Sequence, residues 1–301
     1  MQRRTFLQNT ALCAVAVSTT GFIHFNGQRY AGDCETTTDI LGPFYRPGAP
    51  LRTNLLVPGA PGQEVVLRGT VKHKDCVTPY QGANVELWHC DANGQYDNAS
   101  PDFRYRGATV CDDHGSYEFL TVMPVPYDDT GNGQFRPAHF HLLISAPGYQ
   151  SLVTQLYFTG DPYLTTDVYA ASSKAKQRVL TVKPTANNRK LVSFDVTMTE
   201  NLLAEPAAID RLAGTYLDEK DRNLKTEFFK RDGQLWRKSG RVVYGINYEY
   251  IGNNTFAQSG LPPGLIRTYL FEPQADGSVK VTSTNIDAKG NKVVTVSFKK
   301  P

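Results

Sequence analysis

The sequence predicts an all-β protein. Its 301 residues include 16 Tyr and 15 Phe but only 3 Met, and 25 Gly and 18 Pro supply many turns. Aromatic residues favour strands, whereas Gly and Pro interrupt helices. Short apolar or alternating segments recur between the turn residues. We therefore expect an antiparallel β-sandwich that is followed by a second, small antiparallel β domain of barrel-like form.

Residues 1–30 resemble an export signal of the twin-arginine type. Arg3 and Arg4 precede a small-residue, mildly apolar run from Thr10 to Phe22, and the segment contains no acidic residue. A run of this length is too short to span a bilayer and is typical of a signal peptide. An ordinary secretory signal with an incidental second arginine is the alternative. We expect a periplasmic or extracellular protein without a membrane span.

Residues 31–200 are expected to form the sandwich. Several of their segments have the length of a strand and are rich in β-branched and aromatic residues. The predicted strands are Glu64–Lys72, Asn84–His89, Ser116–Val122, His139–Ser145, Leu152–Phe158 and Lys190–Thr197. The stretch Thr199–Ile209 contains polar residues together with Ala and Pro and precedes a change in sequence character, so we interpret residues 201–209 as a linker.

Residues 210–301 predict an accessory antiparallel β domain. Asp-Gly pairs at 232–233 and 276–277 are strong hairpin signals. The predicted strands are Thr226–Arg231, Gly233–Lys238, Asn247–Ile251, Thr255–Ala257, Ile266–Glu272, Val279–Thr284 and Asn291–Phe298. This part of the chain contains neither His nor Cys. We therefore expect it to serve in packing, docking or as a lid.

The charge distribution excludes some classes of partner. The net charge of +3 arises from 32 Lys and Arg against 29 Asp and Glu, and Arg3, Arg4 and Arg29 all lie in the first 30 residues. No stripe of basic residues follows. Nucleic acid and anionic membranes are therefore not expected as partners. The oligomeric state stays open.

Four cysteines follow the predicted export signal, namely Cys34, Cys76, Cys90 and Cys111. An even number without a Cys-x-x-Cys pair is compatible with two disulfides in an oxidising compartment, or with free buried thiols. Cys90 and Cys111 both border candidate strands around the loop that carries Tyr96. We therefore predict that these two lie close together and form a disulfide.

His139 and His141 are the clearest candidate metal ligands. They lie two residues apart on a predicted strand. Residues i and i+2 of a strand point to the same face, about 6.6 Å apart along the chain, so two imidazoles can converge on one ion. His89 at a strand end and His114 in a turn are weaker candidates. A zinc-dependent hydrolase with a further ligand and a secreted, non-catalytic β-sandwich binding module are therefore both open.

The segment Arg136-Pro137-Ala138-His139-Phe140-His141 adds a more specific signal. Together with ordered matches along the chain, it resembles the intradiol ring-cleavage dioxygenases, non-haem ferric enzymes that open catechols between the two hydroxylated carbons. The further matches are Gly42–Tyr45, Gly82–His89, Asn93–Tyr96, Asp113–Tyr117, Thr154–Gln155 and Gly160–Tyr163. The resemblance does not extend to residues 210–301.

The resemblance implies a non-haem Fe(III) site. The ligands that the family pattern assigns are Tyr96, Tyr127, His139 and His141. A ferric ion can deprotonate a phenol whose pKa is near 10 in water, and hard phenolate oxygens suit it better than they suit zinc. Because all four residues precede the linker, we expect residues 210–301 to be dispensable for iron binding.

The resemblance also implies the reaction. A small aromatic diol would react with O2, both oxygen atoms being inserted, to give a muconate-type diacid. Tyr127 would leave the metal and take a substrate proton, and Arg136 would stabilise carbanion-like charge on the ring. Gln155 would form a hydrogen bond near the iron. The apolar substrate-pocket wall would consist of Leu41, Gly42 and Pro43.

Overall fold

The computed structural model is nearly all-β, which confirms the predicted fold class. It describes residues 23–25, 30–32, 34–128, 130–147, 149, 151–199, 204, 206–231, 233–240, 242, 244–262 and 264–300, with the backbone alone for the first two ranges. Most of the predicted export signal lies outside the described residues.

The regular secondary structure of the described residues is almost entirely β-strand, with one short α-helix, α1 (Pro206–Leu212), and a 3-10 helix, Ser173–Arg178. The strands are β1 (Ile23–Phe25), β2 (Tyr30–Gly32), β3 (Glu64–Lys72), β4 (Asn84–Trp88), β5 (Arg106–Val110), β6 (Ser116–Val122), β7 (His139–Ser145), β8 (Leu152–Phe158), β9 (Val179–Leu180), β10 (Lys183–Pro184), β11 (Lys190–Ser193), β12 (Val196–Thr197), β13 (Gly214–Asp218), β14 (Lys225–Arg231), β15 (Gln234–Arg237), β16 (Ile246–Gly252), β17 (Thr255–Gln258), β18 (Ile266–Pro273), β19 (Val279–Ile286) and β20 (Lys292–Lys299).

Two five-stranded sheets form the sandwich. One has the order β5-β4-β7-β8-β9, and the other has the order β10-β11-β3-β12, with β6 also paired to β3. Most pairs are antiparallel as predicted, but β11 and β12 run parallel to β3, and β9 runs parallel to β8. Parallel neighbours need a crossover connection, and residues 159–178 supply it between β8 and β9.

The central strand β7 is buried on both faces. Phe140, Leu142 and Ile144 point into the core between the two sheets, where they pack with residues of β3, β4 and β6. His139 and His141 point to the opposite face because side chains alternate along a strand. Each of these imidazoles is nevertheless only 1% exposed. The double burial therefore removes the histidine pair from water.

Strands β13 to β20 form a closed eight-stranded barrel, in agreement with the predicted barrel-like fold of the second domain. The pairing of β13 with β20, with Leu217 opposite Phe298, closes it. The interior of such a barrel is just wide enough for side chains to fill. Its core is dominated by aromatic rings, those of Tyr216, Phe228, Tyr248, Phe256 and Phe271.

Helix α1 packs against the barrel core. Its Ile209 and Leu212 belong to the same buried cluster as the barrel rings. The Tyr216 hydroxyl donates a hydrogen bond to the Leu212 carbonyl at 2.7 Å. The helix begins inside the stretch 201–209 that the sequence suggests as a linker. In the part of the chain that the structure describes, no helix is long and apolar enough to cross a membrane.

The cysteine pairing differs from the prediction. A disulfide joins Cys34 to Cys76, whose Cα atoms are 6.1 Å apart, whereas Cys90 and Cys111 are free buried thiols. The predicted bond between Cys90 and Cys111 was therefore wrong. Cys111 packs in the sandwich core, and the Cys90 thiol donates to the Val125 carbonyl at 3.5 Å. Burial raises the pKa of both thiols to about 11, so both stay protonated at neutral pH.

Candidate metal centre

Strand β7 carries the two histidines between neighbours that complete one face of the sheet. His141 lies opposite Trp88 of β4 and Gln155 of β8, and His139 lies opposite Tyr157 of β8. Directly opposed residues share a face of the sheet. Trp88 stacks on His141, with ring centroids 4.8 Å apart and planes 11° apart. The strand register therefore surrounds the imidazole pair with two aromatic rings, those of Trp88 and Tyr157, and with the Gln155 amide.

Tyr96 reaches the same point from the loop that follows β4. The Asp91 carboxylate accepts hydrogen bonds from two backbone N–H groups of this loop, at 2.8 and 2.9 Å, which folds it into a tight turn. Gly94 has a φ of +77°, and a Cβ atom there would lie 3.0 Å from the Tyr127 Cβ. The turn therefore requires glycine, and it sets Tyr96 beside Tyr127.

Tyr127 and Arg136 form an isolated antiparallel bridge at the base of the loop 128–135. Their backbones exchange hydrogen bonds of 3.2 and 2.8 Å. The Asp128 carboxylate accepts hydrogen bonds from three backbone N–H groups of the loop and holds its tip. The bridge therefore brings a phenol and a guanidinium into the site together.

The four predicted ligands converge in the structure. The Nε2 atoms of His139 and His141 are 3.1 Å apart, and His141 Nε2 is 3.1 Å from Tyr96 Oη. The hydroxyls of Tyr96 and Tyr127 are 3.4 Å apart, and Tyr127 Oη is 3.4 Å from His139 Nε2. Two nitrogens and two oxygens thus form a closed ring, which we call the donor ring.

Burial sets the protonation of the donor ring. It lowers the pKa of His139 and of His141 well below the usual value, and nearby positive charge acts in the same direction. His139 Nδ1 donates to the Pro137 carbonyl at 2.6 Å, so the neutral ring keeps a lone pair on Nε2. Burial also raises the pKa of Tyr96 well above its usual value. That phenol therefore stays protonated unless a cation lies beside it.

The donor ring has the size and chemistry of a metal site. Two donors that are each about 2.0–2.2 Å from one ion lie about 2.8–3.6 Å apart at angles of about 90–110°. The spacings of 3.1–3.4 Å fall in this range. Among the described residues, no three His, Cys, Asp or Glu side chains come together, so a site here needs the tyrosines. Two phenol oxygens with two imidazoles suit a hard trivalent cation.

A buried ionic network lies beside the donor ring. Arg136 is 9% exposed, its Nη2 donates to Gln155 Oε1 at 2.8 Å, and its Nε lies 2.7 Å from an Asp167 carboxylate oxygen. Burial alone would lower the pKa of Arg136, but Tyr157 and Asp167 raise it overall, so the guanidinium stays charged. The Gln155 amide also donates to the Ile40 carbonyl at 2.7 Å. Gln155 therefore orients Arg136 and ties it to the chain at Ile40.

Asp39 is the second anion of this network and is 1% exposed. Its carboxylate accepts hydrogen bonds from Tyr157 Oη at 2.9 Å and from Arg178 Nη1 at 2.5 Å. Arg178 Nη1 also donates to the Gln155 carbonyl at 2.7 Å. Removing one member of a buried ion pair leaves an uncompensated charge, so the pairs hold each other in place. The network thereby fixes the chain at Asp39 to strand β8.

The predicted wall residues follow Asp39 after one intervening residue and are Leu41, Gly42 and Pro43. Gly42 has a φ of +76°, and a Cβ atom there would lie 3.0 Å from His141 Cε1, so glycine permits the approach. The next residue, Phe44, stacks on Tyr96 with ring centroids 4.3 Å apart. Phe44 also meets the Tyr127 ring edge-on at 6.0 Å, so this part of the chain contacts three of the four rings that supply donors.

The two weaker histidine candidates do not join the donor ring. The His89 nitrogens Nδ1 and Nε2 lie 2.7 Å from the Cys90 carbonyl and 2.7 Å from the Thr121 hydroxyl. His114 is exposed in a turn whose backbone N–H groups bond to the Asp112 carboxylate. His89 is therefore a core residue, and His114 is a surface residue.

Known proteins share the part of the chain that holds the donor ring. The family profile described as dioxygenase matches residues 40–200. A chlorocatechol 1,2-dioxygenase from Rhodococcus opacus is 34% identical over 191 residues, which cover 55% of this chain and 73% of the relative. The chain belongs to the intradiol ring-cleavage dioxygenases.

Two other known proteins are also similar to this dioxygenase. A catechol 1,2-dioxygenase from Acinetobacter lwoffii is 39% identical over 150 residues, which cover 44% of this chain and 54% of the relative. The solved structure of a 3-chlorocatechol 1,2-dioxygenase from Rhodococcus opacus is similar with a TM-score of 0.50 and 27% identity, over 55% of this chain and 72% of that chain. The dioxygenase therefore spans most of one curated relative but about half of another. The family profile ends before the barrel.

Sequence reasoning missed the network behind Arg136 in this dioxygenase. Tyr157 follows Gln155 by two residues on one strand, so the period of two could have placed both on one face. Asp167 and Arg178 lie in the crossover 159–178, where no local pattern indicates that they reach the site.

Proposed function

We propose that this dioxygenase uses Fe(III) to insert both atoms of O2 into a catechol-type ring and yields a muconate-type diacid. The donor ring of Tyr96, Tyr127, His139 and His141, with spacings of 3.1–3.4 Å, is the observation that supports this most strongly. Relatives named for chlorocatechol and catechol support the substrate class. A bound ferric ion would supply Lewis acidity that activates a coordinated diol toward O2.

Tyr127 is the base in this proposal. A phenolate Oη can accept the proton that a diol hydroxyl loses as the diol binds. Tyr127 lies at the base of the loop 128–135, and Phe44 contacts both phenol rings, stacking on Tyr96 at 4.3 Å and meeting Tyr127 edge-on at 6.0 Å. The choice of Tyr127 over Tyr96 as the base follows the intradiol family pattern.

Arg136 stabilises the negative charge that develops on the ring. It stays charged in a buried site, where a fixed cation can contribute about 2–4 kcal/mol to the transition state. Gln155 and Asp167 hold the guanidinium in place through contacts of 2.8 and 2.7 Å. The charge is therefore oriented before the substrate arrives and needs no reorganisation during the reaction.

The other two hypotheses from the sequence have less support. A zinc-dependent hydrolase would need a third ligand beside His139 and His141, and no His, Cys, Asp or Glu joins them within the described ranges. A non-catalytic binding module has no need for four convergent polar groups in a buried site, where each costs free energy to desolvate.

Metal analysis and a visible spectrum of the purified protein are the first tests. We expect stoichiometric iron and a tyrosinate-to-iron charge-transfer band. Catechol, chlorocatechol, protocatechuate and hydroxyquinol are then compared by O2 uptake and product analysis, with an intradiol diacid as the expected product. A colourless zinc protein, or an extradiol semialdehyde as product, would overturn the proposal.

We also propose that the protein is exported from the cytoplasm. The disulfide between Cys34 and Cys76 suits an oxidising compartment, and Arg3 with Arg4 suits a twin-arginine signal. Replacing both arginines with lysine should retain the protein in the cytoplasm, as measured by cell fractionation. Arg29→Lys is the matched control and should leave export unchanged. Unimpaired export of the double variant would indicate the ordinary secretory route instead.

A further inference from the structure

Residues 39–45, which we call the wall segment, contact the donor ring from outside it. Gly42 lies against the His141 ring, and Phe44 stacks on Tyr96 at 4.3 Å. The wall segment belongs to no strand or helix. Its position therefore depends on the contacts that hold its two ends, and residues of the barrel contribute to both.

The barrel contacts the N-terminal end of the wall segment through the loop that follows β17. Gly260 N donates to Thr38 Oγ1 at 3.2 Å. Gly260 has a φ of +76°, and a Cβ atom there would lie 2.0 Å from the Asp39 carbonyl carbon. The loop therefore rests directly on the backbone of Asp39, and a residue with a Cβ could not do so. Asp39 is also the anion that the buried network fixes to β8.

The barrel contacts the C-terminal end through Trp236. The Trp236 ring stacks on Tyr45 with centroids 6.3 Å apart and planes 22° apart. Tyr45 packs on Trp88 at 5.1 Å, and Trp88 stacks on His141 at 4.8 Å. Leu41 belongs to the same buried apolar cluster. A continuous column of rings therefore runs from the barrel to a proposed iron ligand.

We propose that the barrel clamps both ends of the wall segment and thereby sets the shape of the pocket that receives the diol. This inference rests on the proposed function for its substrate. Gly260 and Trp236 are positioning residues in it, because neither belongs to the donor ring. The clamp is therefore expected to act on substrate binding and orientation, and to leave iron binding to the sandwich.

The first test compares two glycines of one loop. Gly260 and Gly264 both have positive φ, +76° and +89°, but a Cβ atom at Gly264 would meet nothing within 4 Å. Alanine strains the backbone at both positions, yet only Gly260→Ala forces the loop away from Asp39. Hydrogen exchange of the wall segment should be faster in Gly260→Ala and unchanged in Gly264→Ala, in both metal-free and iron-loaded protein. Equal exchange in the two variants would overturn the clamp.

Kinetics with catechol provide the second test. The kcat/KM of Gly260→Ala should fall on the order of ten- to a hundredfold, mainly through KM, while iron content and the charge-transfer band persist. Trp236→Leu should act in the same direction. Phe228→Leu is its control, because Phe228 is 1% exposed and packs in the barrel core. Equal KM values for the Trp236 and Phe228 variants would show that the contact with Tyr45 has no positioning role.

Exchange in the metal-free protein separates the clamp from the ring-cleavage proposal. If wild-type protein cleaves no catechol but the wall segment still responds to Gly260→Ala alone, the proposed function fails and the clamp contact stands. If catechol cleavage is normal and neither barrel variant changes exchange or KM, the clamp fails and the proposed function stands.

Discussion

The sandwich and the barrel are both built from β-strands, but they bury different chemistry. The charged or ionisable polar side chains buried in the sandwich are Asp39, Arg46, His89, Arg106, Arg136, His139, His141, Asp167 and Arg178. The buried polar side chains among the described barrel residues are Asn247, Ser283 and Ser297. Burying a charge costs free energy unless partners compensate it. The sandwich thus bears the energetic cost of a dry, charged site, whereas the barrel has an uncharged interior rich in aromatic rings.

This difference suggests a division of labour. A site with four convergent donors and two buried ion pairs has many groups that must keep their positions, and its wall segment has no strand to hold it. The closed barrel satisfies its strand hydrogen bonds internally and leaves no open edge. Such a unit is suited to support a neighbouring segment. If the two units have separate roles, a change in the sandwich should leave hydrogen exchange in the barrel strands unaltered.

Loss of an imidazole from the donor ring should have the largest effect. His141→Ala removes a donor and leaves a gap between Trp88 and Gly42, so the protein should lose nearly all iron, colour and activity. Hydrogen exchange in β18 and β19 of the barrel should stay unchanged. His114→Ala is the control, because His114 is exposed and lies outside the ring. A fully iron-loaded His141→Ala protein would contradict the assignment of this ligand.

Tyr127→Phe should have the next largest effect. Only a hydroxyl is lost, so the fold should persist, but the proposed base disappears. The kcat for catechol should fall on the order of a hundred- to ten-thousandfold, with an altered charge-transfer band. Tyr117→Phe also removes a buried hydroxyl, one that donates to the Phe194 carbonyl at 2.7 Å, but lies outside the donor ring. If both variants retain the wild-type rate and colour, Tyr127 is neither ligand nor base.

Local sequence pattern was enough to predict most of the strands. The observed bounds of β3, β6, β7 and β8 coincide with the predicted segments. Strand β5, whose sequence is Arg-Gly-Ala-Thr-Val, was missed because it offers little apolar alternation of its own. It exists because β4 pairs with it along its whole length, which is a tertiary effect.

The donor ring divides into a predictable and an unpredictable part. The period of two along a strand was sufficient to pair His139 with His141. Nothing local distinguishes Tyr96 and Tyr127 among 16 tyrosines, so these residues depended on the family resemblance. The contacts of Asp39 with Tyr157 and Arg178 span 118 and 139 positions, and no local pattern encodes such distances. The disulfide was mispredicted for the same reason.

Removal of the disulfide should destabilise the sandwich with little direct effect on the barrel. The bond between Cys34 and Cys76 spans 42 positions, for which loop closure contributes about 3–4 kcal/mol. A Cys34→Ser, Cys76→Ser double variant should lower the free energy of unfolding by this amount in denaturant titrations. Cys111→Ala is the control that removes a free thiol. Denatured, non-reduced protein without its export signal should show only the thiols of Cys90 and Cys111, and additional reactive thiols would disprove the pairing.

The smallest expected effect concerns acid and depends on where the histidines lie. All six histidines precede the barrel, and His89 is buried in the sandwich. Burial lowers the pKa of His89 from 6.5 to about 4. Its neutral ring is satisfied, since Nδ1 donates to the Cys90 carbonyl and Nε2 accepts from the Thr121 hydroxyl. A second proton would have to displace that hydroxyl hydrogen.

The sign of the pH effect follows from this lowered pKa. The stability that the neutral ring contributes is complete above pH 6.5 and is lost as the pH falls toward 4, because the unfolded chain binds the proton more readily. By pH 5 the loss from His89 should reach about 2 kcal/mol. His89→Gln should show a correspondingly smaller loss between pH 7 and pH 5 in denaturant titrations, whereas His114→Gln, at an exposed site, should behave like wild type.

Barrel amides should exchange with the same protection at both pH values, after correction for intrinsic rates. If the barrel amides lose as much protection from hydrogen exchange as the sandwich amides, the two units unfold together. The two units would then differ in the chemistry of their interiors but not in their stability.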